Sequence, residues 1–357
     1  MVKVVTIVGA RPQFIKAAVV SRAIAASDKI TEVIIHTGQH FDPGMSDIFF
    51  NELQIPTPAY NLAIGGGTHG QNTGRMIEAI ESILIKEKPD WVVVYGDTDS
   101  TLAGALAAKK LHIKLAHVEA GLRSYNMRMP EELNRILTDR ISDILFCPTD
   151  TAISNLVKEG FENFPCRFIK TGDVMYDASL FYSNRAKQPS FSKSLDNRQF
   201  VLCTIHRAEN TDNEKKLKEI FDALLRISTF VDIVVPVHPR TVKKIKEFGL
   251  KITSEKLHLV DPVGYLEMIW LLQHSQLVLT DSGGLQKEAY FFQKACVTLR
   301  EETEWVELVK TGFNILAGTD SNLIFDSYIK LSETPFKEAP ELYGDGHSAE
   351  SMLKELI

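Results

Sequence analysis

Four stretches of this chain collect residue types that move protons or hold anions. They are Tyr95-Gly-Asp-Thr-Asp-Ser-Thr101, His117-Val-Glu-Ala-Gly-Leu-Arg123, Thr204-Ile-His-Arg-Ala-Glu-Asn210 and Thr280-Asp-Ser-Gly-Gly-Leu-Gln-Lys-Glu288. In the first three, acids or a histidine follow apolar runs directly, where strands should end. The fourth reads as a strand passing through a glycine turn into a helix. Such a helix start offers unpaired N–H groups and the positive end of a dipole to phosphate. Carboxylates and an imidazole beside a phosphate-holding turn imply acid–base chemistry on a nucleotide-linked substrate.

Taken singly, each residue also has a plainer reading. Gly9-Ala-Arg-Pro-Gln-Phe-Ile-Lys16 is a strand-to-helix turn without the G-x-G-x-x-G spacing, which disfavours a dinucleotide cofactor. Arg11 can fork onto phosphate oxygens and Lys16 can add a point charge. Cations so near a helix start are unfavourable unless an anion joins them. Asp97 and Glu119 are strand-end acids; capping suits Asp99 or Ser100 better, since these precede a helix predicted over Thr101–Lys110. Glu119 lies between Val118 and Ala120-Gly121, an apolar setting suited to a carboxyl that exchanges protons. Pro130-Glu-Glu-Leu-Asn-Arg135 opens a helix, and Glu131 and Arg135 at i, i+4 should form a surface ion pair unless the loop from Glu119 draws Glu131 into a pocket. His206 and His238 end successive strands at one edge, each beside an arginine, as phosphate or sugar recognition requires. Ser282 can donate its hydroxyl, Gly283 and Gly284 permit close backbone approach, and Glu288 can accept from ribose hydroxyls one turn further on.

The elements that must position these residues alternate. Val4–Val8, Val33–His36, Trp91–Tyr95, Leu115–Val118, Ile144–Cys147 and Arg167–Thr171 read as buried strands, with amphipathic helical segments such as Gln71–Lys88 between them. A polar stretch, Tyr182–Asn197, reads as a linker. A second series follows at Phe200–Ile205, Ile233–Val237, Leu257–Val260, Leu277–Thr280, Cys296–Leu299 and Asn314–Ala317. The expected fold is therefore α/β, with two Rossmann-like doubly wound domains facing a cleft. Residues 1–175 and 176–335 form the two domains, and 336–357 hold a terminal helix packing back on the first.

At 357 residues, two cores are expected. A net charge of −6 without a basic run argues against nucleic acid, and no stretch approaches the about 20 apolar residues of a membrane span. Cys147, Cys166, Cys203 and Cys296 lack metal-ligand spacing. They point to reduced thiols, a cytoplasmic protein and no metal site.

In their order along the chain, these motifs resemble the non-hydrolysing UDP-N-acetylglucosamine 2-epimerase family over essentially the whole length. Matching segments include Arg11-Pro12, Gly96-Asp-Thr98, His117 to Arg123, Pro130-Glu-Glu132, Asn134-Arg135, His206-Arg207, Pro236-Val-His238, Thr280 to Gly284 and Tyr343-Gly-Asp-Gly346. The resemblance implies a fold like glycosyltransferase-B enzymes, a UDP-sugar substrate, no cofactor and a homodimer. It implies that Asp97, Glu119, Glu131 and His206 are catalytic, and that Arg11, Lys16, Arg135, His238, Ser282, Gly283, Gly284 and Glu288 bind substrate. Gln13, Ala208 and Trp305 depart from many UDP-N-acetylglucosamine epimerases. Together with Tyr125–Glu132, they are more similar to the branch acting on UDP-2,3-diacetamido-2,3-dideoxyglucuronate in surface polysaccharide synthesis. Asp42 and the Gly65–His69 loop differ from members activated by a second UDP-N-acetylglucosamine, so such activation is not expected. A UDP-sugar glycosyltransferase of the same fold, or a nucleotide-sugar sensor without turnover, is the rival reading.

Overall fold

Short, almost wholly apolar runs rich in Val, Ile and Leu form the strands, because a parallel sheet is covered by helices on both faces. The computed structural model describes residues 1–39, 53–195, 198–334, 336 and 340–357; Asp42 lies outside them. The chain divides into two compact units, Met1–Leu180 with Glu341–Ile357, and Phe181–Pro340.

Unit 1 runs β1 (Val2–Val8), α1 (Arg11–Ala25), β2 (Ile30–His36), β3 (Tyr60–Asn61), α2 (His69–Glu87), β4 (Trp91–Tyr95) and α3 (Asp99–Lys110), continuing through β5 (Lys114–Val118), α4 (Pro130–Ile141), β6 (Ile144–Cys147), α5 (Asp150–Lys158), β7 (Arg167–Lys170) and α6 (Val174–Ser183), whose last three residues belong to unit 2. Its parallel strands lie in the order β3-β2-β1-β4-β5-β6-β7. Val5 stands opposite both Val33 and Val92, so the central strand packs between equally apolar neighbours. Met76, Ile80 and Leu84 of α2 and the alanines of α3 cover that face. The small α3 residues let the helix lie close, and Gly104 has Ile7 and Val94 within contact of where a Cβ would be.

Unit 2 repeats the plan with β8 (Phe200–Thr204), α7 (Ala208–Thr211), α8 (Glu214–Ile227), β9 (Asp232–Pro236), α9 (Pro239–Glu247), β10 (Leu257–Val260), α10 (Tyr265–His274) and β11 (Leu277–Thr280). Then come α11 (Gly283–Phe291), β12 (Ala295–Thr298), α12 (Val306–Lys310), β13 (Asn314–Leu316) and α13 (Ser321–Glu333). The strand order is β10-β9-β8-β11-β12-β13. Leu217, Ile220, Phe221, Leu224 and Ile227 make one stripe of α8 and are all buried, each such side chain contributing about 1.5–3 kcal/mol. The polar stretch after Tyr182 is seated on this unit: Lys187 N donates to Leu266 O, and Gln273 Nε2 donates to Ser183 O. The final helix, α14 (Ser348–Leu356), packs on α1 within unit 1, and Ala349 N donates to Asp177 there.

Each sheet reverses its winding once, between β1 and β4 in unit 1 and between β8 and β11 in unit 2. Crevices open at such points beyond the carboxyl ends of the strands. The four motifs fall at these reversals or beside them. Among the described residues, no helix is long and apolar enough to cross a membrane.

Candidate active site

At the unit 1 reversal, the end of β1 must approach β2 and α3 closely. A Cβ at Gly9 would lie 2.0 Å from Thr37 Oγ1 and 2.2 Å from Ser100 Oγ, so only glycine fits. Gln13 then locks the turn. Its Oε1 accepts from Gly9 N and Ala10 N at 2.8 and 3.0 Å, while its Nε2 donates to Tyr95 O and Thr101 Oγ1 at 2.8 and 3.0 Å. Both ends of this buried amide are occupied, so Gln13 works as a fastener between β1 and β4. A carboxylate there would set an acceptor against Tyr95 O.

Around that fastener, candidate acids and cations meet in pairs. Lys16 Nζ lies 2.5 Å from Glu119 Oε1, with Lys16 buried and Glu119 partly so. Arg135 Nη2 lies 2.5 Å from Asp97 Oδ2, and Arg135 Nη1 lies 2.8 Å from Glu132 Oε2. Gly96 borders the first pair, its Cβ position being 3.3 Å from Lys16 Nζ and 3.6 Å from Glu119 Oε1. The side chain of Arg11 lies outside the described residues. Glu119 has φ +69°, a conformation costly for a residue with a side chain and most often kept where function demands it.

Two expectations need correction. The helix after Asp97 is capped by Thr98, whose side chain accepts from Thr101 N, and not by Asp99 or Ser100. Asp99 is instead buried beside His69. Arg135 turns to Glu132 and Asp97 rather than to Glu131, which is exposed on the first turn of α4. The inward acid of the doublet is Glu132, fully buried and accepting from Ser124 N, Tyr125 N and Ser124 Oγ. It closes the loop that carries Tyr125.

Beneath these pairs lies a charge network that the sequence did not single out. His117 is wholly buried, with Nδ1 2.7 Å from Asp139 Oδ1 and Nε2 2.6 Å from Gly96 O. Asp139 Oδ2 accepts from Arg123 Nη1 at 2.7 Å and Gly121 N at 3.2 Å, and Arg123 continues to Glu159. Burial works to raise the Asp139 carboxyl, but the His117 hydrogen bond and the charges of His117 and Arg123 outweigh it and hold it below the usual range. The network thus fixes Gly96, next to Asp97, and Gly121, two residues beyond Glu119.

At the unit 2 reversal a single acid organises the site. Asp281 is fully buried at the end of β11. It accepts from His206 N at 3.1 Å, Arg207 N at 3.0 Å and Asn210 Nδ2 at 3.2 Å. His206 Nδ1 lies 3.2 Å from Asp281 Oδ1, so this nitrogen faces the carboxylate as a donor. Sequence reasoning placed Asp281 inside the motif without giving it a role. Its signal was an acid directly after four apolar-strand residues, one step before the capping serine.

Ser282 caps α11, its side chain accepting from Leu285 N. A Cβ at Gly284 would meet nothing within 4 Å, whereas one at Gly283 would lie 2.3 Å from Glu304 Oε1. Gly283 therefore serves internal packing, and Gly284 leaves the helix start open. His238 caps α9 through Nδ1, which accepts from Arg240 N, so its Nε2–H is left as a donor. Thr241 Oγ1 donates to Ile205 O and holds that helix start beside the end of β8. Glu288 is buried within α11.

A sequence profile of the UDP-N-acetylglucosamine 2-epimerase family matches residues 22–357. The chain belongs to this family. It is 56% identical over 355 residues to the UDP-2,3-diacetamido-2,3-dideoxy-D-glucuronate 2-epimerase of Pseudomonas aeruginosa, covering 99% of both chains. Its structure superposes with TM-score 0.91 on Methanocaldococcus jannaschii UDP-GlcNAc 2-epimerase in complex with UDP-GlcNAc and UDP, at 42% identity and 99% coverage of each chain. The corresponding values for the Neisseria meningitidis UDP-GlcNAc 2-epimerase bound to UDP-GlcNAc are 0.89, 31% and 99% of each.

Within this epimerase family, the three departures noted in the sequence sit in different surroundings. Gln13 is the buried fastener described above, with both ends of its amide taken up by the turn and by β4. Ala208 is exposed at the first position of α7. Trp305 is buried, with Lys287 Nζ 4.0 Å from its ring centroid, a cation–π contact that lets a lysine lie almost fully buried.

Proposed function

We propose that this protein catalyses reversible inversion at C2 of UDP-2,3-diacetamido-2,3-dideoxyglucuronate. The observation that carries the substrate is the 56% identity, end to end, with the Pseudomonas aeruginosa enzyme of that name. UDP-N-acetylglucosamine is the alternative, favoured by the fold shared with the Methanocaldococcus jannaschii enzyme at 42% identity.

The chemistry follows from the groups present. The C2 proton of such a sugar has no adjacent carbonyl and is not acidic. A base removes it while the C1–O bond breaks toward the diphosphate, giving a 2-acetamidoglycal and UDP. Re-addition of UDP at C1, with proton delivery to the opposite face of C2, yields the epimer. Departing diphosphate is an anion, which suits the open N-terminus of α11 at Ser282, Gly283 and Gly284, with the His238 Nε2–H as a donor and Glu288 toward the ribose. Asp97, Glu119 and Glu131 supply the acid and base groups, with His206 held in one tautomer by Asp281. Lys16 and Arg135, paired with Glu119 and Asp97, hold those carboxylates in place, and Arg11 is assigned to the diphosphate. The free thiols fit a reducing compartment, and we place the enzyme in the cytoplasm as a homodimer.

The test is NMR of purified protein with the uronate in heavy water. Interconversion with deuterium appearing at C2 is the expected result, along with slow release of free UDP. Efficient turnover of UDP-N-acetylglucosamine with none of the uronate would overturn the substrate while leaving the epimerase.

A further inference from the structure

The contact between His69 and Asp99 in unit 1 is not used by this chemistry. His69 opens α2 with its side chain 71% exposed, and its Nδ1 lies 2.8 Å from Asp99 Oδ2. Asp99 is buried, and its other oxygen accepts from Asn134 Nδ2 at 3.3 Å. The same amide donates to the carbonyl of Asp97 at 2.9 Å. A run of three hydrogen bonds therefore ties His69 to Asp97, whose carboxylate meets Arg135.

The loop before His69 is held as firmly as the ring. Asn72 Oδ1 accepts from Gly67 N at 3.2 Å, and its Nδ2 donates to Gly67 O at 3.1 Å. Thr68 accepts from Gln71 N, and Gln71 Oε1 accepts from Thr68 N. With the loop and Nδ1 both fixed, the imidazole has one orientation, and because a carboxylate only accepts, Nδ1 carries a proton and Nε2 faces outward.

The substrate proposed above differs from UDP-N-acetylglucosamine in carrying a carboxylate at C6. Lys16, Arg123 and Arg135 each already meet carboxylates of the protein itself. His69 offers what such a group needs, an exposed ring nitrogen able to serve as a donor, on an imidazole whose other nitrogen is held by a buried acid. We propose that His69, oriented by Asp99, receives the C6 carboxylate and so sets specificity for a uronate. The inference rests on the uronate reading.

Its test needs no turnover. UDP-glucuronate and UDP-glucose differ only at C6, and each can be titrated against the whole protein calorimetrically. Wild type is expected to bind UDP-glucuronate roughly tenfold more tightly, as one charge-assisted hydrogen bond allows. In His69→Gln that preference should vanish while affinities for UDP and UDP-glucose stay as they were. A His69→Gln protein that keeps the preference overturns the inference alone. A wild type that never distinguishes the two ligands overturns the uronate reading, and the inference with it.

Discussion

At and beside its reversal, unit 1 sets charged side chains, Arg135 against Asp97 after β4 and Lys16 against Glu119 after β5. Unit 2 meets its reversal, at the ends of β8 and β11, with one buried carboxylate, Asp281, gripping backbone N–H groups, and with a helix start opened by glycine. The sheets have the same winding around the reversal, so topology dictates where a site lies and not what it does. Movable charge suits proton transfer, since a carboxylate can take up and release a proton without rebuilding its surroundings. Backbone donors cannot titrate, and they suit a group that must be held in every step. This contrast is why we assign acid–base chemistry to unit 1 and diphosphate binding to unit 2.

The largest effect should separate the two organising aspartates. Asp139→Asn leaves His117 and Arg123 without the charge between them, and breaking such a buried pair costs about 3–5 kcal/mol. Asp281→Asn keeps an oxygen for the N–H groups of His206 and Arg207, so its cost should be about 1–3 kcal/mol. Chemical denaturation of both variants measures this, and equal losses would erase the distinction. Asp281→Asn should also lower kcat, because it loosens the tautomer of His206.

Next come the acids themselves. Asp97→Asn, Glu119→Gln and Glu131→Gln should each lower kcat by about 10²-fold or more while UDP affinity holds. Steady-state kinetics and UDP titration read the two halves separately. The exposed Glu131 is the sharpest case, since a near-normal kcat there removes it from the chemistry and leaves the paired acids to do it. In unit 2 the effect should move to binding. Gly284→Ala has room for its methyl in the free protein, so melting should be unchanged and UDP affinity reduced. Gly283→Ala pushes into Glu304 and should cost about 1–3 kcal/mol of stability. Loss of UDP affinity from Gly283→Ala alone would reverse the roles given to the two glycines.

Much of this was legible before any coordinates. Apolar runs such as Trp91–Tyr95 and Leu277–Thr280 are strands over the residues read from sequence, because a strand covered on both faces leaves a nearly unbroken apolar signature. The two-residue edge strand Tyr60–Asn61 left none. Side-chain facing was the harder part. Glu131 and Glu132 are adjacent on a helix, and only the packing of Ser124 and Tyr125 decides which turns inward. Likewise Thr98 and Asp99 are both good caps, and Asp99 was withdrawn from that role by His69 and Asn134, far off in sequence. The positive φ of Glu119 carries no local mark, since no glycine stands there to announce it.

The smallest effect tests the same contrast between charge pairing and backbone pairing inside unit 1. Asp177, like Asp281, is held by a backbone donor, Ala349 N at 2.9 Å, whereas Asp139 is held by cations. Burial raises the Asp177 carboxyl, and its hydrogen bonds to Ala349 and Ser348 do not offset that. A raised folded value contributes stability that is fully present below the unfolded carboxyl value of about 3.9 and is lost as pH rises through the folded value. Asp139, being lowered, contributes stability that is present above about 3.9 and is lost only as pH falls through its lower folded value. Between pH 4 and 7 the two should therefore behave differently. The melting temperature of Asp177→Asn, relative to wild type, should climb as pH rises across that window. The deficit of Asp139→Asn should stay nearly level there and shrink only in stronger acid. Melting curves at several pH values give both trends. A level Asp177→Asn difference would mean that backbone donors satisfy that carboxylate as fully as His117 and Arg123 satisfy Asp139, and the contrast drawn between the two kinds of site would lose its electrostatic basis.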